Sequence, residues 1–385
     1  MNNLIMYFNE LEDPRDTRGL RHQLTNIIVM SIYGVLCGYS DAESIAFFLE
    51  LHKDYFVNLL GLKERNGVPS ADTLLRVFAV INPKQFMKIF SKWVTDVIKS
   101  KGQSGKIKRE VIPIDGKAIK GATDKTNNGN IPYIVSAFLS DLGISIGQVK
   151  VDDKSNEITA IPELLDIIDI KDCIITIDAI GTQTKIVDKI KSKDGHYCLC
   201  VKENQGNLYT DIKEYFQFAL SNKIEFSTLQ TFTKSEKSRN RIERRETYIT
   251  SDISFINDLS KWNGLKMIAM TRNFREINGD VSIQDKFYIL DLVLKAEEVG
   301  NITRKHWSIE NNLHWILDVH FREDFNKSKI KNSIHNLSLL RKICYNLVKL
   351  DDSFGKKPIN KKMMLYNHNL DNLKRLIFEV LPSNN

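Results

Sequence analysis

Two aspartates close two separate apolar runs of this 385-residue chain. Val111-Ile112-Pro113-Ile114 leads into Asp115, with Gly116-Lys117 behind it. Ile174-Ile175-Thr176-Ile177 leads into Asp178, with Ala179-Ile180-Gly181 behind it. Aspartate is depleted in strands, so carboxylates at the ends of two such runs point to a shared acidic site where strands leave a sheet. Asp is also a common turn former, and either residue alone would carry that plainer reading. Side by side, two carboxylates begin a cage for a hard divalent cation, because Mg²⁺ takes oxygen ligands and is held by carboxylates plus substrate phosphates. Paired ions roughly 3.5–4 Å apart activate an attacking oxygen and stabilise a leaving one. Such a cage calls for a third carboxylate. The stretch Arg304-Lys305-His306-Trp307-Ser308-Ile309-Glu310-Asn311-Asn312-Leu313-His314-Trp315 offers Glu310, with His306, Trp307, Leu313 and His314 three or four residues either side on one helical face. A carboxylate among such neighbours is costly unless it is paired or bound to metal. On spacing alone, Asp318, Glu323 and Asp324 are the alternatives.

The elements that must position these residues follow from the hydrophobic period. Residues 1–105 read as an N-terminal helical domain for DNA binding or assembly. In it Ser40-x-x-Glu43 is a capping box ahead of Ile45, Phe48, Leu49 and Phe56. Pro69-Ser70-Ala71-Asp72-Thr73 opens another helix, and Asn82-Pro83 caps and starts a third through Phe86, Ile89, Phe90, Trp93 and Val97. The helices meeting near Ser70 read either as plain packing or as a helix-turn-helix presenting Arg76 to a DNA groove. After the polar linker Lys99–Arg109 the period becomes strand-like. Residues 106–222 carry predicted strands at Val111–Asp115, Tyr133–Leu139, Ile144–Val151, Cys173–Asp178 and His196–Lys202. Helices are predicted over Ala160–Ile168 (started by proline), Thr184–Ile190 and Asn207–Leu220. Three hairpin-joined strands, then helix–strand–helix–strand–helix, is the order of a ribonuclease-H-like α/β core with a mixed sheet. There the ends of strands one and four lie together. Residues 223–295 read as a β-rich insertion with strands at Tyr248-Ile249-Thr250, Lys266–Thr271 and Lys286–Leu292 and a hairpin turn at Asn278-Gly279. Residues 296–385 complete the core with helices over His306–Phe321, Ser333–Leu350 and Leu370–Leu381.

Composition narrows the classes. With 42% hydrophobic and 27% charged residues the chain is an ordinary globular protein, not a disordered, collagen-like or disulfide-stapled one. Lys+Arg number 55 against 48 Asp+Glu, and the net +7 is compatible with nucleic acid as a partner. The longest apolar run, Ile27–Cys37, is about half of the roughly 20 residues that span a bilayer, and Met1–Met6 lacks the features of a signal peptide. No membrane partner is expected, and a cytoplasmic location is. The five cysteines read as buried thiols. Cys198-x-Cys200 has no matching second pair, and His306, His314 and His320 share no face suited to zinc. There is no phosphate-binding glycine loop and no G-x-S-x-G. Six basic residues, Lys234, Lys237, Arg239, Arg241, Arg244 and Arg245, face three acids, Glu236, Glu243 and Glu246, a local net of +3. That run suits phosphate contacts or a solvated charged face. Lys117, Lys120 and Lys202 beside the strand ends are stronger candidates for contacts to a DNA backbone. Trp307 and Trp315 read as core residues.

Several short motifs are familiar in combination: Asp115-Gly116-Lys117 with Lys120-Gly121, Lys154-Ser155-Asn156-Glu157-Ile158, Asp178-Ala179 with Gln183, and Lys202-x-Asn204-Gln205. The most specific is His306-Trp307-x-Ile309-Glu310-Asn311-x-Leu313-His314-Trp315-x-Leu317-Asp318-Val319. With Asp13-Pro14-Arg15, and Pro69-Ser70 with Asp72-Thr73, the chain resembles the H-repeat-associated branch of bacterial DDE insertion-sequence transposases from about residue 10 to about residue 350. The resemblance implies a cut-and-paste DNA transposase whose acidic triad is Asp115, Asp178 and Glu310, with the β-rich insertion between the second and third members. Two Mg²⁺ ions per site, replaceable by Mn²⁺, would be held by that triad. Its partner would be double-stranded DNA, both the element's terminal inverted repeats and the target. A homodimer or larger assembly would form on DNA, on the bacterial nucleoid. The wider group often sets a Tyr, an Arg and a Lys around the catalytic Glu. Thr303, His306 and Leu317 stand there instead, so phosphate-gripping roles do not carry over. His306 and Arg304 remain candidates for phosphate contact. Two other readings stand beside this one: a nuclease of the same fold that cuts without joining, and a decayed transposase that only binds DNA.

Overall fold

The computed structural model describes residues 4–18, 20–101, 109–123, 131–151, 156–221, 229–238 and 241–378, side chains at 238 and 241 excepted. Apolar residues at helical spacing build α1 (Leu4–Phe8), α2 (Leu24–Leu36), α3 (Ala42–Leu51), α4 (Lys53–Leu60), α5 (Ala71–Val80) and α6 (Pro83–Ser100) before any strand. Their starts carry the expected chemistry. Ser70 accepts from Thr73 N, and Asn82 caps α6 with Pro83 at its first position. The capping box of α3 sits one residue later than expected, on Asp41 and Ser44, because the Asp41 carboxylate reaches Ser44 N at 2.9 Å. Residues 61–70 between α4 and α5 hold a short 3-10 turn, Glu64–Asn66, and are too long for the tight turn of a helix-turn-helix. The link is therefore not that of a helix-turn-helix, and α5 packs instead on α3.

Strands follow as β1 (Val111–Ala118), β2 (Tyr133–Leu139) and β3 (Ile144–Lys150). Next come α7 (Glu157–Ile167), β4 (Ile174–Ile177), α8 (Thr184–Ser192), β5 (His196–Val201) and α9 (Asn207–Ser221). Asn156 caps α7, so the helix begins before the expected Ala160 and Pro162 falls inside it. Beyond lie β6 (Gln230–Ser238), β7 (Arg241–Thr250), β8 (Met267–Ile277) and β9 (Asp280–Leu290). The sheet order is β3-β2-β1-β4-β5-β9-β8-β7-β6. β1 lies antiparallel to β2 and parallel to β4, and β4 parallel to β5. That is a ribonuclease-H-like core. The later strands continue its sheet, since β9 pairs with β5 from Cys198↔Leu290 to Val201↔Phe287. Asn278 (φ 52°) and Gly279 (φ 93°) make the expected hairpin turn between β8 and β9.

The chain closes with α10 (Ala296–His306), a π-helical turn over Ile309–His314, α11 (Trp315–Val319), α12 (Ser333–Leu350), α13 (Ile359–His368) and α14 (Asp371–Phe378). One regular helix over His306–Phe321 was expected there, and α13 was not expected. α12 guards the open edge of the sheet. Asn346 accepts from Ser145 N and donates to Ser145 O, at 2.9 and 2.8 Å, as a neighbouring strand would. A single buried cluster runs from Leu4 to Ile377, so the N-terminal helices share a core with one face of the sheet. A second cluster, including Val111, Ile174, Cys200 and Val299, fills the space under α10 on the other face. The cysteines are all buried and free. Among the described residues, no helix is long and apolar enough to cross a membrane.

Candidate active site

Val111–Ile114 of β1 and all of β4 are buried on both faces, as central strands flanked by helices must be. A carboxylate cannot follow them into that core without a large desolvation cost, and both strands emerge from it at an aspartate. The parallel register ends at Ile114↔Ile177, which leaves Asp115 and Asp178 as neighbours at the mouth of the sheet. Side chains alternate along β1, so Val111, Asp115 and Lys117 face α10 while Ile112, Ile114 and Gly116 face α7.

Glu310 sits in the π-helical turn, a feature that concentrates at functional sites. Histidines four residues to either side tie this segment to both strand ends. His306 Nε2 lies 3.3 Å from Asp178 Oδ1, and its Nδ1 lies 3.0 Å from the Thr176 hydroxyl. His314 Nδ1 lies 3.3 Å from Asp115 Oδ2. The three carboxylates singled out by sequence thus lie within electrostatic reach of one another. The hydrogen bond from His306 holds the Asp178 carboxyl below its usual range against the effect of burial, with Lys202 and Lys286 adding to it. Glu310 moves the other way. Burial and the charges of Asp115 and Asp178 push it up, only partly offset by the two histidines. Glu157, at the start of α7, is pushed up by burial and by the same two aspartates. Among the described residues no three Asp, Glu, His or Cys side chains stand close enough to hold an ion as they are. The donor set nevertheless fits a hard divalent cation: carboxylate oxygens that repel one another, with two imidazoles and the ammonium groups of Lys202 and Lys286 only partly offsetting them.

The basic candidates divide. Lys120 and Lys202 are exposed beside the site. Lys117 is nearly buried and engaged by Asp318 (2.5 Å), Glu323 (3.0 Å) and Asp324 (3.4 Å). Arg244 pairs with Glu246 and lies over the Phe274 ring, Arg245 pairs with Glu243 and Glu236, and Arg304 with Glu236. The run of positive charge is therefore largely matched by its own strands. Arg239 lies outside the described residues, as does the Arg241 side chain. Trp307 and Trp315 are not core residues: they are 41% and 55% exposed on the segment that carries Glu310. Lys286 Nζ lies 4.1 Å above the Trp307 ring, in a recess shared with Thr176, Asp178, Cys200 and His306. Nothing in the spacing of the β-rich segment marks Lys286, because its neighbourhood is made by the pairing of β9 with β5. Glu157 lay within a quoted motif, but only the fold shows that it reaches the aspartates.

The family of the transposase DDE domain matches residues 106–347, and the family described as DDE_Tnp_1-associated matches residues 5–94. The chain belongs to the DDE transposase family. Two proteins of Escherichia coli strain K12, YbfL and the H repeat-associated transposase candidate YhhI, are each 36% identical to this DDE transposase over 366 residues. Each match covers 94% of this chain and 93% of the relative. A solved piggyBac transposase synaptic complex with hairpin DNA aligns over 95% of this chain and 75% of its own, with 9% identity and a TM-score of 0.41, too distant a likeness to carry an argument. In this DDE transposase the matched domain takes in Asp115, Glu157, Asp178 and Glu310.

Proposed function

We propose that this chain is the transposase of its own mobile element, cutting DNA at the element's ends and joining those ends to target DNA. Asp115, Asp178 and Glu310 are its catalytic carboxylates. The observation that carries the reading is the convergence of Asp115 and Asp178 at the mouths of two parallel strands, each bound to a histidine on the segment that bears Glu310. The H repeat-associated relatives support DNA as the substrate. In the first step water attacks a phosphodiester and the bond to the 3′ oxygen breaks, leaving a 3′-hydroxyl on the element. In the second that hydroxyl attacks a phosphodiester of the target, and one P–O bond is exchanged for another. Two Mg²⁺ ions, held by the three carboxylates, would supply activation of the attacking oxygen and charge neutralisation at the leaving one.

The chain's own residues do the rest. His306 is held at Nδ1 by Thr176 and keeps the Asp178 carboxylate ionised and turned toward the segment bearing Glu310. Lys202 and Lys286 place positive charge beside Asp178, where a phosphate would sit. Positioning and charge neutralisation are what phosphoryl transfer chiefly requires of a protein. A dimer or larger assembly would hold two ends together.

The test uses a labelled duplex carrying the DNA that borders the gene, with Mg²⁺ or Mn²⁺ and either wild type or Asp178→Asn. Wild type is expected to nick at the element boundary and the variant to lose the activity by a factor on the order of 10³ or more. Cleavage that persists in the variant would remove Asp178 from the site. A pre-cleaved end bearing a 3′-hydroxyl separates a transposase, which joins it to target, from a nuclease, which does not.

A further inference from the structure

Asp115 is followed by a residue that leaves the other side of its strand bare. A β-carbon at Gly116 would come 2.2 Å from Glu157 Oε1 and 2.6 Å from its carboxyl carbon. The Glu157 carboxylate therefore lies directly against β1, in space that any other residue at 116 would fill. It is held there from both ends. Asn156 Oδ1 accepts from Ile158 N at 3.1 Å and fixes the first turn of α7. Further along, α7 packs closely on the turn that follows Asp178, where a β-carbon at Gly181 would come 2.8 Å from Ile161 Cδ1. Two glycines, one behind each aspartate, thus bring α7 up to both strand ends. Among the described residues, none donates a hydrogen bond to Glu157 or pairs with it. The charges it meets are those of Asp115 and Asp178. A half-buried carboxylate set against two like charges either takes up a proton or stays ionised because something positive joins them.

We infer that Glu157 is a fourth carboxylate of this site, a ligand to the divalent cation that Asp115 and Asp178 share, admitted by the gap that Gly116 leaves in the strand. The inference rests on the reading of those aspartates as cation ligands. A cation between the strand ends would draw Glu157 in from the α7 side while Glu310 approaches from the α10 side, closing the site across both faces of the sheet.

The experiment measures Mn²⁺ binding to the full chain, by the loss of the free-ion electron paramagnetic resonance signal, without DNA and with a duplex end. Wild type is compared with Asp178→Asn, Glu157→Gln, Glu157→Asp and Gly116→Ala, each checked for folding by circular dichroism. Glu157→Gln is expected to weaken Mn²⁺ binding about tenfold or more. Glu157→Asp, which keeps the charge but shortens the reach, should weaken it comparably, and so should Gly116→Ala, which pushes the carboxylate away. If Asp178→Asn weakens binding and both Glu157 variants bind as wild type does, this inference fails while the reading of the aspartates survives. If Glu157→Asp keeps wild-type affinity and Glu157→Gln does not, Glu157 acts through charge alone and is no ligand. Binding that no variant alters, or that is absent from wild type in both conditions, overturns both.

Discussion

Two clusters of charge stand two residues apart on one face of β1, and they follow opposite rules. At Asp115, carboxylates from three other elements gather, with two imidazoles and, on the Asp178 side, Lys202 and Lys286 offsetting them in part, and Glu310 and Glu157 are still pushed toward their neutral form. At Lys117 the carboxylates gather around an ammonium, although burial still pushes the Asp318 carboxyl up. The Lys117 ammonium meets Asp318, Glu323 and Asp324. Ser338 donates to Glu323 at 2.7 Å, and Lys342 donates to Gln148 and Ser338 at 2.8 and 3.0 Å. Burial works against Glu323, yet Lys342, Lys117 and the Ser338 hydroxyl bring its carboxyl down to about 2. Buried polar groups that are fully satisfied rigidify a structure, and those left short of partners are costly. The cluster around the ammonium belongs to the frame, and the other, on the function proposed above, is the one a cation would complete. Because Lys117 ties β1 to residues just past α11, the frame fixes how far Asp115 stands from the segment bearing Glu310.

The largest effect that would break this contrast comes from the Lys117 side. Lys117→Met leaves Glu323, whose side chain is 1% exposed, without one of its cations. Removing one member of a buried ion pair costs about 3–5 kcal/mol. Urea unfolding at neutral pH should show a loss of that order, and a loss below about 1 kcal/mol would mean the network is not holding the frame. The pH dependence has a definite sign. A depressed carboxyl contributes stability that is present above its ordinary value of 4.5 and lost as pH falls toward about 2. The penalty of the variant should therefore shrink in strong acid.

An intermediate effect comes from Glu110, at the other end of β1. It is 5% exposed, and its Oε1 accepts from Asp141 N at 3.1 Å. Burial, with the nearby Asp141 carboxylate, pushes it up to about 7, while amide hydrogen bonds and Lys305 oppose the shift. It is poorly compensated but lies away from the mouth of the sheet. For a raised carboxyl, stability is fully present below the ordinary 4.5 and is lost as pH rises through about 7. Glu110→Gln keeps the acceptor and removes the charge. At pH 8 it should gain on the order of 1–2 kcal/mol over wild type, with no gain at pH 4. Equal stability at both values would show that Glu110 is compensated after all.

How much of this could be read from sequence depends on what each feature is made of. Asp115 and Asp178 were legible because a doubly buried strand must be apolar throughout, so a carboxylate marks where burial stops. Glu310 was legible from its motif, but the π-helical turn was not, since a wider hydrogen-bond pattern leaves no trace in apolar spacing. The strand β6 was not expected, and β7 and β8 run farther than expected, because these stretches carry polar residues on both faces, as in Lys234–Lys237, and so show no alternation. Trp307 and Trp315 read as core because large aromatics usually are; that they face outward is decided by which side of the segment meets β1. Lys117 read as a DNA contact because its partners lie about 200 residues away. Glu157 depended on a glycine whose meaning is steric: it needed the fold to show what passes through the gap.

The smallest effect, and the one that sharpens the contrast most, is Glu310→Gln. Glu310 is exposed to solvent, so water screens its repulsion with Asp115 and Asp178. Its neutralisation should stabilise the metal-free chain by less than Glu110→Gln does. The direction is nonetheless opposite to that of Lys117→Met, although both changes remove a charge from the same side of β1. In a thermal melt at pH 8 with chelator, the Gln variant should unfold at a slightly higher temperature than wild type. Mn²⁺ should then reverse the order, because a cation bound only by the native state adds stability in proportion to its affinity, and wild type binds it better. If the variant melts below wild type in chelator, Glu310 has a structural partner and belongs to the frame. If the variant melts higher in chelator but Mn²⁺ leaves the order unchanged, the repulsion is real and the cation lies elsewhere. Only a crossing of the two curves says that the carboxylates at the mouth of the sheet are held apart by their own charge and drawn together by the ion.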